Sequence, residues 1–171
     1  MAFGLTAAGT ITKEQTLHSI RRIGVAASTL ITKGNVVEQD VGGDLIVSPT
    51  TQTAEITHFV ALETVDNSSG ADGDLSCPVA VAGHFVTVVA DGAIFPGSKV
   101  VISATTAGQV ILYVVATHTI DQVVGIYWGK EGGVIAKGGS TPFLEDFTDD
   151  ADFDPVDAAD GDVVEIELGV N

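Results

Sequence analysis

Short apolar runs alternate with glycine-containing turns from residue 25 to the end of the chain. Val and Ile dominate the runs, and these β-branched residues pack well on a pleated sheet. The predicted strands cover residues 25–31, 36–37, 44–48, 59–65, 75–82, 84–90, 99–103, 110–116, 123–128 and 163–168. Turns such as Lys33-Gly34-Asn35 and Pro96-Gly97 separate them, because glycine adopts the positive φ that tight turns require. This spacing predicts an all-β fold, either a small β-barrel or a β-sandwich.

Residues 1–24 differ from the body and are predicted to form an N-terminal arm. They hold three of the seven basic residues but only one acid, Glu14. Thr12 followed by Gln15 matches a capping box, which predicts a short helix over residues 12–23. An extended arm is the alternative. In both cases we expect the β domain of residues 25–171 to fold without residues 2–23.

The two halves of the body share an order of elements. In the first half, a Lys33-Gly34 turn, an apolar strand and a second strand at 59–62 precede the sequence Ala-Asp-Gly-Asp at 71–74. The second half repeats this order from Pro96-Gly97 and ends on Ala-Asp-Gly-Asp at 159–162. This agreement indicates an internal repeat. The alternative is that β proteins commonly reuse the same turn and strand patterns.

The second half carries an insertion at about residues 130–158. Its acidic end has nine carboxylates between residues 145 and 162, and no basic residue follows Lys137. Such a run is usually a solvated face or tail. Phe143, Phe147 and Phe153 are interleaved with the acids, which predicts that they anchor the insertion on its own barrel or on an adjacent subunit.

Charge excludes several classes of partner. The chain has 7 basic and 23 acidic residues and a net charge of −16, so it repels phosphate backbones and anionic lipid surfaces. We therefore expect no nucleic-acid partner and no membrane partner. No basic segment followed by an apolar segment opens the chain, so we expect synthesis in the cytoplasm without a signal peptide.

Catalytic and metal-binding patterns are weak throughout the sequence. Cys77 is the only cysteine, which rules out an intrachain disulfide, and its apolar neighbours predict a buried thiol. The four histidines are scattered without metal-ligand spacing. The run from Asp150 to Asp154 resembles the start of a calcium loop, but Pro155 and Gly161 occupy positions that such a loop gives to Gly and Glu. We expect no enzyme activity, no cofactor and no metal.

The order of glycines and strands over residues 25–129 and 159–170 resembles that of capsid cement proteins, the head decoration proteins of tailed viruses of bacteria and archaea. The resemblance rests on Lys33-Gly34-Asn35-Val36-Val37, on Ala71-Asp72-Gly73-Asp74, on the run from Ala90 to Ile94 with Pro96-Gly97, and on the closing run from Gly161 to Ile166. It implies a compact β domain on the outer capsid surface of the virion. The family has no catalytic residues, and the insertion departs from its compact pattern.

The resemblance also implies partners and contact residues. The partner would be the major capsid protein, and copies would cluster as a homotrimer on the shell. The arm contacts would then be Phe3, Leu5, Ile11, Leu17, Ile20, Arg21 and Arg22, with Phe143, Phe147 and Phe153 as inter-subunit anchors. The alternatives are another virion component, such as a tail, spike or minor head protein, and an extracellular adhesion module.

The insertion gives the first testable prediction. Burying a Phe side chain contributes about 1.5–3 kcal/mol, so three such anchors would hold the segment without a specific metal. Replacing Phe143, Phe147 and Phe153 by Ala should therefore speed proteolysis of the insertion and weaken clustering of copies, while a chelator should change little. If a chelator alone releases the segment and the triple variant behaves like the parent, a bound divalent cation holds it instead.

Overall fold

The computed structural model describes residues 8–9, 11–13, 20–51, 57–128 and 158–169, with only the backbone described at 11–13. This part of the chain forms one six-stranded, one five-stranded and one two-stranded sheet. The strands are β1 (Ile11–Lys13), β2 (Arg21–Gly24), β3 (Thr29–Ile31), β4 (Val36–Gln39), β5 (Leu45–Val47), β6 (Phe59–Ala61), β7 (Val65–Asn67), β8 (Ser76–Ala80), β9 (Phe85–Val89), β10 (Ser98–Ile102), β11 (Val110–Leu112), β12 (Val123–Tyr127) and β13 (Val163–Leu168). A single 3₁₀ turn, Ile120–Gln122, precedes β12 in the described chain. The all-β prediction is confirmed.

The two larger sheets have the same strand order. The five-stranded sheet runs β2-β8-β6-β4-β5, and the six-stranded sheet runs β1-β9-β13-β12-β10-β11. When β1 is set aside, each strand of the first sheet has a counterpart at the same place in the second. The internal repeat is therefore confirmed at the level of topology. We call residues 21–80 repeat 1 and residues 85–168 repeat 2.

A parallel bridge joins the two ends of each sheet at equivalent positions. Val25 bridges to Leu45 in repeat 1, and Ala90 bridges to Val110 in repeat 2. In repeat 1 the bridge joins the residue after β2 to the first residue of β5. In repeat 2 it joins the residue after β9 to the first residue of β11. Both sheets therefore curl into small barrels, as the sequence pattern predicts.

The matching Ala-Asp-Gly-Asp sequences form the same turn in both repeats. The Ala71 N–H donates to the Asp74 carboxylate at 2.8 Å, and the Ala159 N–H donates to the Asp162 carboxylate at 2.9 Å. The glycine of each turn has a φ between 70° and 80°, which favours residues without a Cβ. A side-chain bond and a glycine together fix the entry into β8 and β13.

Two predicted strands are each broken in the structure. Residues 59–65 divide into β6 and β7, because the Leu62 N–H bonds to the Pro78 carbonyl while β7 leaves to pair with β3. Residues 25–31 are interrupted at Ser28, whose φ is 57°, and the neighbouring Ala27 N–H bonds to Asp72. The apolar pattern predicted the strands but not these two breaks, because the bonds at them join residues that are far apart in the chain.

The described parts of the predicted arm belong to the two large sheets. β1 pairs with β9, and β2 pairs with β8 through all four of its residues. A helix over residues 12–23 is therefore wrong at both of its ends, and the extended alternative fits there. Deleting residues 2–23 would remove three of the four residues of β2 from the edge of the first barrel, and the expectation that the body folds without them stays a prediction.

Strands of repeat 1 are buried on both faces. Val37, Ala61 and Val79 point into the first barrel and form one apolar cluster. Their neighbours Val36, Val60 and Ala80 are also fully buried but belong to the core cluster of repeat 2. A strand alternates its side chains between faces, so one face fills the first barrel and the other packs on the second repeat.

The hairpin tip between β10 and β11 inserts into repeat 1. The Gly108 carbonyl accepts from the Val36 N–H at 2.8 Å, and the Gly108 N–H donates to the Ser48 carbonyl at 3.0 Å. A Cβ at Gly108 would lie 2.7 Å from Val47 and 2.9 Å from the Asn35 amide. Only a glycine backbone allows this close approach between the repeats.

This contact gives the second prediction. Gly108→Ala should destabilise the protein by about 2–4 kcal/mol, because it adds both strain at positive φ and overpacking against Val47. Gly97→Ala is the matched control: Gly97 has a similar φ of 78° but nothing lies within 4 Å of its Cβ position. The control should cost about 1–2 kcal/mol. Denaturant unfolding measures both values, and equal losses would contradict the close contact at Gly108.

Candidate functional site

The outer edge of the second barrel carries an added strand. β1 pairs with β9, with Ile11 opposite Val86, and the Gly9 N–H donates to the Thr87 carbonyl at 2.6 Å. An N-terminal segment of the chain thus already adds a strand to one of the two barrels.

The equivalent edge of the first barrel is β2. Arg22 of β2 lies opposite Pro78 of β8, and Thr87 of β9 lies opposite Glu165 of β13. Pro78 and Glu165 are equivalent positions of the two repeats, so Arg22 is the equivalent of Thr87. The backbone groups of Thr87 point away from β13, toward the added N-terminal segment. The N–H and C=O of Arg22 therefore point away from β8, toward the open side of β2. In the part of the chain that the structure describes, β8 is the only strand bonded to β2. The edge is open there, and open edges are sites where another chain can add a strand.

Basic and apolar side chains occupy this open edge. Arg21 and Arg22 are exposed, and Ile20, which precedes them, is half exposed. Arg22 lies 3.9 Å from the Glu63 carboxylate, but both side chains are largely solvated, so the ion pair holds Arg22 weakly. Both guanidinium groups are accessible to carboxylates of a partner, for which their planar donors are well suited.

The structure brings together three of the predicted contact residues. Ile20, Arg21 and Arg22 form the open edge, whereas Ile11 lies in β1, on the second barrel. The remaining predicted residues lie outside the described residues: Phe3, Leu5, Leu17, Phe143, Phe147 and Phe153. The roles of all ten residues stay predictions.

A second exposed surface escaped the sequence analysis. Lys99, Ile126 and Glu167 are cross-strand neighbours on the outer face of repeat 2, and the half-exposed Trp128 lies beside them. The Trp128 indole N–H donates to the Glu167 carboxylate at 2.9 Å. Three of their counterparts in repeat 1, Val36, Val60 and Ala80, are fully buried, and the fourth, Leu62, is partly buried.

The described cysteine and two of the described histidines are buried or hydrogen-bonded to the backbone. Cys77 is fully buried, as predicted, and burial raises the pKa of its thiol. His84 is buried within 2.9 Å of the Val81 carbonyl, and His118 accepts from the Val114 N–H. Among the described residues, no three His, Cys, Asp or Glu side chains are placed to hold a metal ion. The same residues contain no helix long and apolar enough to span a membrane.

Comparison with known proteins gives a single kind of match. Neither protein-family models nor curated proteins match this chain. Among solved structures, the N base of head fiber gp8.5 of bacteriophage phi29 has a similar fold, with a TM-score of 0.51 and 12% sequence identity. The match covers 88% of this chain and 95% of that chain. At this identity the likeness concerns the fold, and it extends over nearly all of both chains.

His58 gives the third prediction. It is buried in repeat 1, and burial lowers its pKa from 6.5 to about 4. Folding therefore favours the neutral imidazole, so the stability is complete above pH 6.5 and falls as the pH drops toward 4. The loss amounts to about 3 kcal/mol.

His58→Gln removes this titration, and the free energy of unfolding should then vary less between pH 6.5 and 4 than it does in the parent. His118→Gln serves as the comparison, because His118 is only partly buried. Unfolding curves at several pH values measure the difference. An unchanged pH dependence in His58→Gln would show that His58 is not a source of acid sensitivity.

Proposed function

We propose that this protein is a structural component of a virion. In this proposal it decorates the outer surface of the assembled capsid, binds the major capsid protein and stabilises the shell. A protein that binds only the assembled shell stabilises that state by mass action, and many weak contacts on a lattice add through avidity.

The open β2 edge is the observation that carries the proposal. Ile20, Arg21 and Arg22 present a basic and apolar strip on a protein with a net charge of −16. The equivalent edge of repeat 2 already has β1 added to it, so this barrel is suited to strand addition. A segment of the capsid protein added to β2 would gain backbone hydrogen bonds, and the two arginines would select an acidic neighbourhood.

The fold supports a virion role independently of the edge. The chain shares its fold, over most of its length, with the base of a phage head fiber. That similarity agrees with the resemblance of the sequence to head decoration proteins. Fold alone does not fix function, so the proposal depends on the surface and the fold taken together.

The proposal includes a homotrimer on the shell and no catalytic role. The three histidines that the structure describes and the single cysteine have structural surroundings, and the described surface presents an open edge at β2. Replacing His58, His84 and His118 together should affect stability at most, with no loss of a specific turnover.

A second candidate is the base of a fibre anchored to the head. It is favoured by the structural neighbour, which is the N base of a phage head fiber. The number of copies relative to the major capsid protein distinguishes the two. A decoration protein approaches a fixed ratio to the major capsid protein over the whole lattice. A fibre base does not follow that ratio, and it is found together with a distal fibre protein or domain.

The fourth prediction tests the β2 edge. Arg21→Glu should weaken binding to assembled shells about tenfold or more, because a charged hydrogen bond contributes about 1.5–3 kcal/mol and the new carboxylate is repelled by an acidic partner. Co-sedimentation of purified protein with undecorated shells, at several salt concentrations, measures the affinity. Arg21 is exposed, so the melting temperature of the free protein should stay unchanged.

Lys33→Glu is the charge-matched control, since it makes the same change of charge at an exposed lysine that lies outside β2. It should retain nearly parental binding. If both variants lose affinity equally, net charge rather than the β2 edge governs docking. If the parent protein binds no shell, the decoration proposal is wrong.

A further inference from the structure

The N-terminal segment, by which we mean residues 8–9 and β1, contacts both repeats. The Gly9 N–H donates to the Thr87 carbonyl of repeat 2 at 2.6 Å, and Gly9 is buried. Gly9 also touches repeat 1, because a Cβ at this residue would lie 2.5 Å from the Ala61 carbonyl oxygen and 2.6 Å from the Gly34 nitrogen. The segment therefore lies in a groove between the two barrels and does not only extend the second one.

The groove requires glycine at this position for two reasons. The Gly34 N–H donates to the Ala61 carbonyl at 2.8 Å, and a Cβ at Gly9 would press on both atoms of this hydrogen bond. These are backbone atoms, which cannot turn aside as the end of a flexible side chain can. The φ of Gly9 is also 72°, a conformation that is costly for residues with a Cβ.

The strand that follows Gly9 is short and irregular. β1 has three residues, Ile11–Lys13, and its register with β9 shifts between the first and the last of them. Such an irregularity interrupts the ladder of backbone hydrogen bonds. Short edge elements of this kind open at a free energy well below that of global unfolding. The N-terminal segment is therefore suited to leave the groove while the barrels stay folded.

The two repeats have a second attachment, which does not involve the N-terminal segment. The Gly108 tip bonds to the backbone of Val36 and Ser48, and Val36 also lies in the core cluster of repeat 2. These contacts join the barrels when the N-terminal segment leaves. Its departure would free the Thr87 carbonyl, and the second barrel would then have an open edge at β9, as the first barrel has at β2.

We propose that the groove formed by Gly34, Ala61 and Thr87 is a peptide-binding site, which the chain fills with its own N-terminal segment. The ligand class is a peptide that adds a strand to β9 and has glycine where it passes the hydrogen bond between Gly34 and Ala61. The chain's own segment meets both requirements, and its covalent connection to β2 keeps its local concentration high. The filled site closes the β9 edge, and the empty site exposes it. The inference does not depend on capsid binding.

The fifth prediction uses the full chain and a labelled synthetic peptide of residues 6–14. Gly9→Ala in the chain should expel the tethered segment, because the new methyl group meets the backbone of Gly34 and Ala61. The peptide of natural sequence should then bind this variant at least about tenfold more tightly than it binds the parent, in which the tethered segment competes. Fluorescence anisotropy measures the affinity. The same peptide with Gly9→Ala should bind neither chain.

Gly161→Ala is the matched control chain. Gly161 has a φ of 78°, close to that of Gly9, and nothing lies within 4 Å of its Cβ position. This variant adds the same methyl group but leaves the groove filled, so it should bind the peptide as weakly as the parent does. Circular dichroism checks that both variants keep the β content of the parent.

Hydrogen exchange of the parent chain tests the release of the segment without any substitution. The backbone groups of Thr87 face the N-terminal segment, whereas those of Val86 and Val88 face β13. After correction for intrinsic rates, the Thr87 amide should exchange at least about ten times faster than the two valine amides, through local opening. In Gly9→Ala the Thr87 amide should lose further protection, while the valine amides keep theirs.

Two results would overturn the inference. The first is a folded Gly9→Ala chain that binds the natural peptide no better than the parent does, or that binds both peptides equally. The second is exchange of the Thr87, Val86 and Val88 amides only by global unfolding, which would make the N-terminal segment a fixed part of the barrel. The second measurement decides alone if Gly9→Ala does not fold.

Discussion

The insertion of the Gly108 peptide into the sheet of repeat 1 is the contact on which the arrangement of the two barrels depends. Two backbone hydrogen bonds and one buried glycine fix the tip between Val36 and Ser48. The Asp91 carboxylate steadies the hairpin by accepting from the hydroxyls of Ser103 and Thr105, and these bonds lower the pKa of Asp91. Once the tip is seated, Val36, Val60 and Ala80 join the second core, and burying each valine contributes about 1.5 kcal/mol or more.

The two exposed surfaces follow from the differences between the repeats. The edge of β9 has β1 added to it, whereas the edge of β2 presents Arg21 and Arg22. The outer face of repeat 1 is covered, whereas that of repeat 2 presents Trp128.

The sequence predicted the parts of the fold that depend on local chemistry. Turns at Gly34, Gly97 and the two Ala-Asp-Gly-Asp sequences were recognisable because each needs glycine or a short carboxylate at a fixed place. The pairing of β1 with β9 was not recognisable, since it joins residues far apart in the chain and β1 has only three residues. The exposed face around Trp128 was not recognisable either. Lys99, Ile126 and Glu167 are far apart in the sequence, and only the strand register places them side by side. Of the predicted contact residues, Ile20 and the two arginines lie together at the β2 edge because they are consecutive in the chain, and their contact roles stay predictions.

Electron microscopy of intact particles, with the density resolved into individual barrels, tests the central claim most directly. The account predicts paired barrels at regular positions over the outside of the shell, with the β2 edge and its arginines against the major capsid protein. Density confined to the tail, or barrels that contact the shell through the β11 side of the molecule while the β2 edge faces solvent, would contradict it.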